Sequence, residues 1–154
     1  MGETGAVSSH PDRPAVHMDR TVPALPVRDV PAAVAFYRER LGFTAPHVTA
    51  GFAVVTRERA ILHLWAASDE RWRTRPDLAT APVRSGAESF LAGTASCRID
   101  VDDVDALFAE LEAADVLHPT SRTGVQTTDF GTREFATLDR DGNLLTFVRW
   151  TAAG

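Results

Sequence analysis

The 154-residue sequence has one cysteine, Cys97, and no apolar run that approaches the length of a membrane span. A single cysteine excludes an internal disulfide framework and is compatible with a reducing cytoplasm. A transmembrane helix needs about 20 consecutive apolar residues, so the sequence predicts no spanning segment. The net charge of −5 disfavours nucleic acid as a partner and favours a cationic one. We therefore expect a globular cytoplasmic protein.

The first 19 residues also lack an apolar run, and with it the hydrophobic segment of a secretory signal. They contain Gly, Ser, Pro, His and charged residues, a composition that predicts a disordered N-terminal extension, unless they mark an alternative start. The regular pattern begins at Arg20. The remaining length suits a single domain.

A weak internal repeat organises the chain after that point. Asp29 and Gly42 are placed to begin and end a helix, with Pro31 in its first turn. Four apolar residues of this segment fall on one helical face, namely Val30, Val34, Tyr37 and Leu41. The same strand-and-helix pattern returns 74 residues later, where Asp102–Asp103 is the cap and Val104, Phe108 and Leu111 form the apolar face.

The strands that follow each helix repeat at a second offset, of 83 residues. Phe52–Val55 matches Phe135–Leu138, and Ile61–Leu64 matches Leu144–Phe147. The segment Asp139–Asn143 predicts a hairpin turn, in which Gly142 can adopt a positive φ. Two constant offsets with matching caps and hairpins are not expected by chance.

The repeat predicts an α+β fold with two βαβββ modules, at residues 20–65 and 94–150, joined by a long connection at 66–93. Each sheet is too small to bury both faces, so we expect a second module to close its concave side. Closure between two chains makes a symmetric homodimer with crevices at the junction, where small ligands usually bind.

Two motifs carry a resemblance to a known superfamily. Leu-Pro-Val-Arg-Asp-Val at residues 25–30 and Leu-Asp-Arg-Asp-Gly-Asn-Leu-Leu at residues 138–145, in paired βαβββ modules, resemble the vicinal oxygen chelate superfamily. It includes glyoxalase I, extradiol dioxygenases, fosfomycin-modifying enzymes and bleomycin resistance proteins. The resemblance covers residues 20–150 and implies the glyoxalase fold.

The resemblance also implies where an enzyme of the superfamily would hold its metal. The four positions are Val22, His63, Ser96 and Thr146, of which only His63 is a good ligand. A divalent site normally needs three or more His, Cys or carboxylate ligands. We therefore expect no metal site, no cofactor and no catalysis.

Other catalytic constellations are absent from the pattern. Cys97 is predicted on a strand with no histidine base close in sequence, which favours a buried structural cysteine. The carboxylates at positions 100, 102, 103 and 105 surround a strand-to-helix turn, where helix capping and exposed surface explain them.

Finer motifs resemble one branch of the superfamily, the bleomycin resistance proteins. Those motifs are Val22–Val27, Gly51–Val54, His63–Glu70 and Gly86–Ile99, and the last is the most specific because the fold alone does not require it. Members are homodimers that bind one drug in each of two crevices and do not modify it. Their N-terminal strand, with a proline that matches Pro23, crosses to the partner. The resemblance therefore implies a domain-swapped homodimer that binds a bleomycin-type drug, free or as its copper complex.

The same family implies the ligand-binding residues. Two aromatic residues sandwich the drug's planar bithiazole, and the matching positions are Phe52 and Phe130, although the second is usually tryptophan. A core role is the alternative for Phe52. The other candidates are His63, whose alternative is an interior histidine, Trp65 and Trp72, which flank the start of the connection, and Gly131 and Arg133 beside Phe130.

Two other functions stay open at this point. His63 and the shared fold are compatible with a metal-dependent lyase, thiol transferase or dioxygenase. Related metal-free proteins bind other planar antibiotics on the same scaffold. The abundance of Ala, Arg, Asp and Val is typical of a high-GC bacterial gene.

Overall fold

The structure is a computed structural model that describes residues 15–67, 74, 76–80 and 92–151. Module 1 contains β1 (Ala24–Val27), α1 (Val30–Arg40), β2 (Thr44–Val48), β3 (Phe52–Arg57) and β4 (Ala60–Ala66). Module 2 contains β5 (Ser96–Asp100), α2 (Val104–Ala113), a 3₁₀ turn (Pro119–Ser121), β6 (Gln126–Thr127), β7 (Thr132–Leu138) and β8 (Leu144–Trp150). The predicted βαβββ order is confirmed in both modules.

The two sheets have the same topology. Their strand orders are β1-β4-β3-β2 and β5-β8-β7-β6, with the first strand of each module parallel to the last. The remaining neighbours are antiparallel. The parallel pair requires a crossover, which the helix of each module contributes.

The helix boundaries follow the capping residues in the sequence. The Asp29 carboxylate accepts a hydrogen bond from the backbone N–H of Ala32, and Asp103 does the same for Ala106 at the start of α2. Gly42, with φ of 71°, follows α1. The predicted α1 face is buried, and Val104 and Leu111 of α2 are buried as well.

Alternating strand residues divide each sheet into a helix face and an open face. In module 1 the helix face carries Ala53, Val55, Leu62 and Leu64, all buried. In module 2 it carries Leu145, Phe147 and Phe135, whose ring stands edge-on to Phe108 of α2. These residues belong to one apolar cluster that spans both modules. The side chains of the two open faces do not belong to this cluster.

The turn Asp139–Asn143, hereafter the joint turn, connects β7 to β8 and packs against module 1. One carboxylate oxygen of Asp139 accepts backbone N–H groups from residues 141, 142 and 143 at 2.9 Å each. The other accepts the Tyr37 hydroxyl and the Asn143 amide, also at 2.9 Å. Burial raises the pKa of both the Asp139 carboxyl and the Tyr37 phenol. A buried hydrogen-bond network thus joins the modules.

Further contacts extend this joint to β1. The Asn143 side chain donates to the Pro26 carbonyl at 2.9 Å, and the Asp141 carboxylate accepts the backbone N–H of Arg28. Gly93 donates its N–H to the same Pro26 carbonyl. Its φ is +80°, and a Cβ there would lie 2.0 Å from the carbonyl oxygen of Asp141. The close approach of the Asp141 backbone explains why position 93 in the Gly86–Ile99 motif is a glycine.

Two strand boundaries depend on their surroundings. β1 begins as a regular strand only at Ala24. Pro46, a residue that ordinarily indicates a loop, lies within β2, because β2 is an edge strand and tolerates proline. No helix in the described part of the chain is long and apolar enough to cross a membrane.

Candidate functional site

Three of the predicted residues form an aromatic cluster on the open face of module 1. Phe52 of β3 is the register partner of Trp65 on β4, and their ring centroids are 4.8 Å apart. His63 lies two residues before Trp65 and meets Phe52 edge-on at 5.0 Å. All three rings are partly exposed, while their neighbours Leu62 and Leu64 are buried on the other face. The strand alternation therefore places the three rings on one surface.

His47 of β2 also belongs to this cluster, although no sequence motif predicts it. Its ring lies 5.8 Å from that of Phe52, and its register partner is Val54. Because Val54 also pairs with His63, the two imidazoles flank β3 from opposite sides. Sequence reasoning missed His47 because only the pairing of β2 with β3 places it on the same face as the three predicted rings.

Phe130 lies at the tip of the turn between β6 and β7. Its side chain is 58% exposed. Gly131 follows with a φ of 91°, a backbone conformation that suits glycine. No ring contact joins Phe130 to another aromatic residue of the described chain. Among the described residues, Phe130 and the module 1 cluster therefore form two aromatic surfaces with no ring contact between them.

The open face of module 2 is charged and hydroxyl-rich. Arg98 of β5 and Glu134 of β7 form an ion pair of 2.6 Å on it, and the Arg98 guanidinium lowers the pKa of Glu134. Thr132 also donates its hydroxyl to Glu134, at 2.9 Å. The Trp150 indole donates to the Asp100 carboxylate at 3.2 Å. This face therefore offers polar and ionic contacts together with the exposed Trp150 ring, whereas the module 1 face is dominated by rings.

The structure does not bring Arg133 together with the other candidates. It lies on the helix face of β7, where its guanidinium makes two hydrogen bonds with Asp105 of α2 at 2.5 and 2.9 Å. This pair lowers the pKa of Asp105. Arg133 and Phe130 were grouped by sequence proximity, but the pleat turns Arg133 away from the open face.

The remaining predicted residues lie at the edges of the described structure. Pro23 precedes β1, and its carbonyl accepts the backbone N–H of His63 at 2.9 Å. Residues 15–20, which precede it, are exposed. Trp72 lies outside the described residues.

Of the four positions that the resemblance implies for a metal, His63, Ser96 and Thr146 lie on the open faces, and Val22 precedes β1. Alkyl and hydroxyl side chains are weak ligands for a divalent ion. Among the residues that the structure describes, no three His, Cys, Asp or Glu side chains are grouped to hold a metal.

The surroundings of Cys97 and of the carboxylates at positions 100, 103 and 105 are those of structural residues. Burial raises the pKa of the Cys97 thiol to about 11, with a further contribution from the Asp139 charge. At neutral pH the residue is therefore a thiol rather than a nucleophilic thiolate. Asp103 caps α2, Asp105 pairs with Arg133, and Asp100 accepts from Trp150.

Two cavities lie along the seam between the modules, away from the aromatic surfaces. One, of about 620 Å³, is lined by residues of the β3–β4 turn, β5 and α2. The other, of about 460 Å³, is lined by residues 20–23, the β3–β4 hairpin and β5. Neither of these two cavities is lined by Phe52 or Phe130.

Comparison with known proteins places these features in a family. The family described as "Glyoxalase/Bleomycin resistance protein/Dioxygenase superfamily" matches residues 17–147. Proteins named bleomycin resistance protein from Geobacillus stearothermophilus and Staphylococcus aureus are 45% identical over 132 residues, which is 86% of this chain and 97% of each relative.

Solved structures agree in fold. A bleomycin-binding protein from bleomycin-producing Streptomyces verticillus, complexed with copper(II)-bleomycin, is 30% identical with a TM-score of 0.63, covering 90% of this chain and 99% of that one. A second bleomycin-binding protein, complexed with bleomycin, is 23% identical with a TM-score of 0.59, covering 86% and 98%; at that identity the likeness shows the fold alone.

Proposed function

Because the chain belongs to the glyoxalase/bleomycin resistance protein/dioxygenase superfamily, we propose that it binds bleomycin-type glycopeptides and confers resistance by sequestering them unmodified. The observation that carries this proposal is the exposed aromatic surface, at the positions where the resemblance expects drug-binding rings. The 45% identity to bleomycin resistance proteins supports it. The drug would be held in the cytoplasm before it reaches DNA.

The aromatic residues suit the planar bithiazole of such a drug. Phe52 and Trp65 present adjacent rings on one wall, and Phe130 presents a largely exposed ring on another. Stacking contributes about 0.5–1.5 kcal/mol per aromatic pair beyond the burial of area. His47 and His63 border the first wall and offer nitrogen atoms for hydrogen bonds.

We propose that each crevice contains the aromatic cluster of one protomer and the Phe130 turn of its partner. Among the described residues the two surfaces share no ring contact, and the rings of the module 1 cluster and of Phe130 stay at least partly exposed. A symmetric homodimer would cover both faces and form two equivalent crevices. The exposed residues before Pro23 include Val16 and Met18, 71% and 95% exposed, which suits an arm that crosses to the partner.

Charge supports a cationic ligand. The chain carries a net charge of −5, and Asp100 lies on the open face of module 2 beside the Arg98–Glu134 pair. A cationic drug tail would be attracted toward this wall while the bithiazole stacks between the rings. No cofactor is required by this mechanism, since the drug is bound and not converted.

Calorimetric titration with metal-free and copper-loaded bleomycin tests the proposal. We expect two drug molecules per dimer with a Kd below about 10 μM, and recovered drug of unchanged mass. Phe52→Ala and Phe130→Ala should each weaken binding about 10- to 100-fold through lost stacking and burial. Phe36→Ala, on α1 and away from both surfaces, is the matched control. Absence of binding by the wild type, or a changed drug mass, would refute sequestration.

A further inference from the structure

The turn that carries Phe130 is closed by two threonine hydroxyls. The backbone N–H of Thr128 donates to the Thr132 carbonyl at 2.8 Å, and the Thr132 N–H donates to the Thr128 hydroxyl at 3.1 Å. The two hydroxyl oxygens are 2.7 Å apart. Thr132 is fully buried, whereas Phe130 is largely exposed. The ring therefore takes its position from this backbone loop.

The Glu134 carboxylate fixes the direction of the hydroxyl hydrogen bonds. It is acceptor-only when ionised, so the Thr132 hydroxyl must donate its single proton to it, at 2.9 Å. The Thr128 hydroxyl then donates to Thr132 and keeps a lone pair for the Thr132 N–H. This arrangement satisfies both threonine hydroxyls, and the Thr132 carbonyl lies 3.4 Å from the Thr128 hydroxyl as a second acceptor.

Two further contacts anchor this arrangement to the sheet. Arg98 of β5 holds the same Glu134 oxygen at 2.6 Å, and it reaches across β8 to do so. At the tip, the Gly131 carbonyl accepts both the N–H and the hydroxyl of Thr151, at 2.9 and 3.0 Å. The turn is thus fixed to the sheet at Gly131 and at Thr132.

We propose that Thr132 and Glu134 are positioning residues, which hold Phe130 in the orientation that stacks on the drug. The proposal rests on the function proposed above. Neither residue needs to contact the drug, because each acts through the turn. Preorganisation of this kind improves affinity by reducing the ordering that binding would otherwise require.

A double-mutant cycle tests the proposal. Thr132→Val keeps the shape and removes the hydroxyl, and we expect a 5- to 10-fold rise in the Kd for bleomycin. Thr132→Ser should restore the Kd to within twofold of wild type. In a Phe130→Ala background, Thr132→Val should change the Kd less than twofold, because the ring on which it acts is absent. Equal losses in both backgrounds would overturn the proposal.

Thr44→Val is the matched control. Its hydroxyl pairs with that of Thr56 at 3.0 Å in module 1, far along the chain from the Phe130 turn, so it should leave the Kd unchanged. Hydrogen exchange in drug-free protein is the independent readout: Thr132→Val and Glu134→Gln should speed exchange of the residue 128–132 amides at least tenfold, and Thr44→Val should not.

The two proposals fail in distinguishable ways. If the wild type does not bind bleomycin, the proposed function fails, while the exchange measurement still reports on the turn. If the wild type binds and Thr132→Val leaves either the Kd or the exchange rate unchanged, the positioning role is refuted.

Discussion

Modules 1 and 2 share one topology but differ in the chemistry of their open faces. In module 1 that face carries the rings of Phe52, His63 and Trp65, whereas in module 2 it carries the Arg98–Glu134 ion pair. Their helix faces are alike, since both bury apolar residues against a helix. The duplicated fold is therefore maintained by one face of each sheet, and the opposite face is free to diverge.

The hairpin turns before the last strands also differ between the modules, in their burial. In module 1 the turn at Glu58–Arg59 is exposed, with Glu58 at a φ of 51°. In module 2 the joint turn is buried against β1 and α1. The turn of module 2 is thus packed into the neighbouring module, whereas the corresponding turn of module 1 stays exposed.

The largest effect is expected at the joint turn. Asp139→Ala removes the acceptor for the Tyr37 hydroxyl, the Asn143 amide and three backbone N–H groups. Unsatisfied buried donors cost about 1–3 kcal/mol each, so we expect a loss of about 3 kcal/mol or more in the free energy of unfolding. Urea denaturation measures it. Glu58→Ala in the module 1 turn should cost less than about 0.5 kcal/mol; equal losses would remove the contrast between the turns.

A somewhat smaller effect is expected at Gly93, where module 2 approaches module 1. Gly93→Ala places a Cβ 2.0 Å from the Asp141 carbonyl at a φ of +80°. Overpacking and the left-handed conformation together should cost about 2–3 kcal/mol, measured by thermal or urea unfolding. Gly51→Ala is the control, since nothing lies within 4 Å of its added Cβ. A Gly93→Ala protein as stable as the control would show that this contact does not constrain the joint.

The smallest effect concerns the ion pair on the open face of module 2. Arg98 makes the pKa of Glu134 lower in the folded chain than its ordinary value of 4.5. The stabilisation is therefore fully present above that ordinary value and is lost as the pH falls through the lower, folded one. Both side chains are partly exposed, so we expect less than about 1 kcal/mol.

Comparing wild type with Glu134→Gln by urea unfolding from pH 7 to pH 3 should show this difference shrinking at low pH. Glu110→Gln, which breaks the Arg57 pair on the helix side, should show the same trend, because the pKa of Glu110 is lowered in the same way. A difference for Glu134→Gln that grows as the pH falls would contradict the assigned pKa direction.

Most of the fold could be predicted because its signals are local. Asp29 and Asp103 cap the helices, Gly42 follows α1, and Gly142 in the joint turn has a φ of 102°. Alternation in β3 and β4 separated the rings from the buried Leu62 and Leu64. Where an edge strand tolerated proline, at Pro46, the local signal for a loop was misleading.

The site was less accessible from sequence, because its members meet through register. His47 joins the cluster only through the pairing of β2 with β3. Arg133 is adjacent in sequence to the Phe130 turn, yet the pleat places it on the helix face with Asp105. The Arg98–Glu134 contact joins strands that lie on either side of β8, a neighbourhood that no spacing rule encodes.

The joint turn has a consequence for the order of events during synthesis. Tyr37 and Pro26 find their hydrogen-bond partners 102 and 117 residues further along the chain, in Asp139 and Asn143. A ribosome must therefore release almost the whole polypeptide before module 1 acquires its buried acceptor and donor. Contacts of such sequence separation slow folding, since a long loop must close before they form. Module 1 is thus synthesised first, but its hydrogen bonds to the joint turn form only after module 2 has been synthesised.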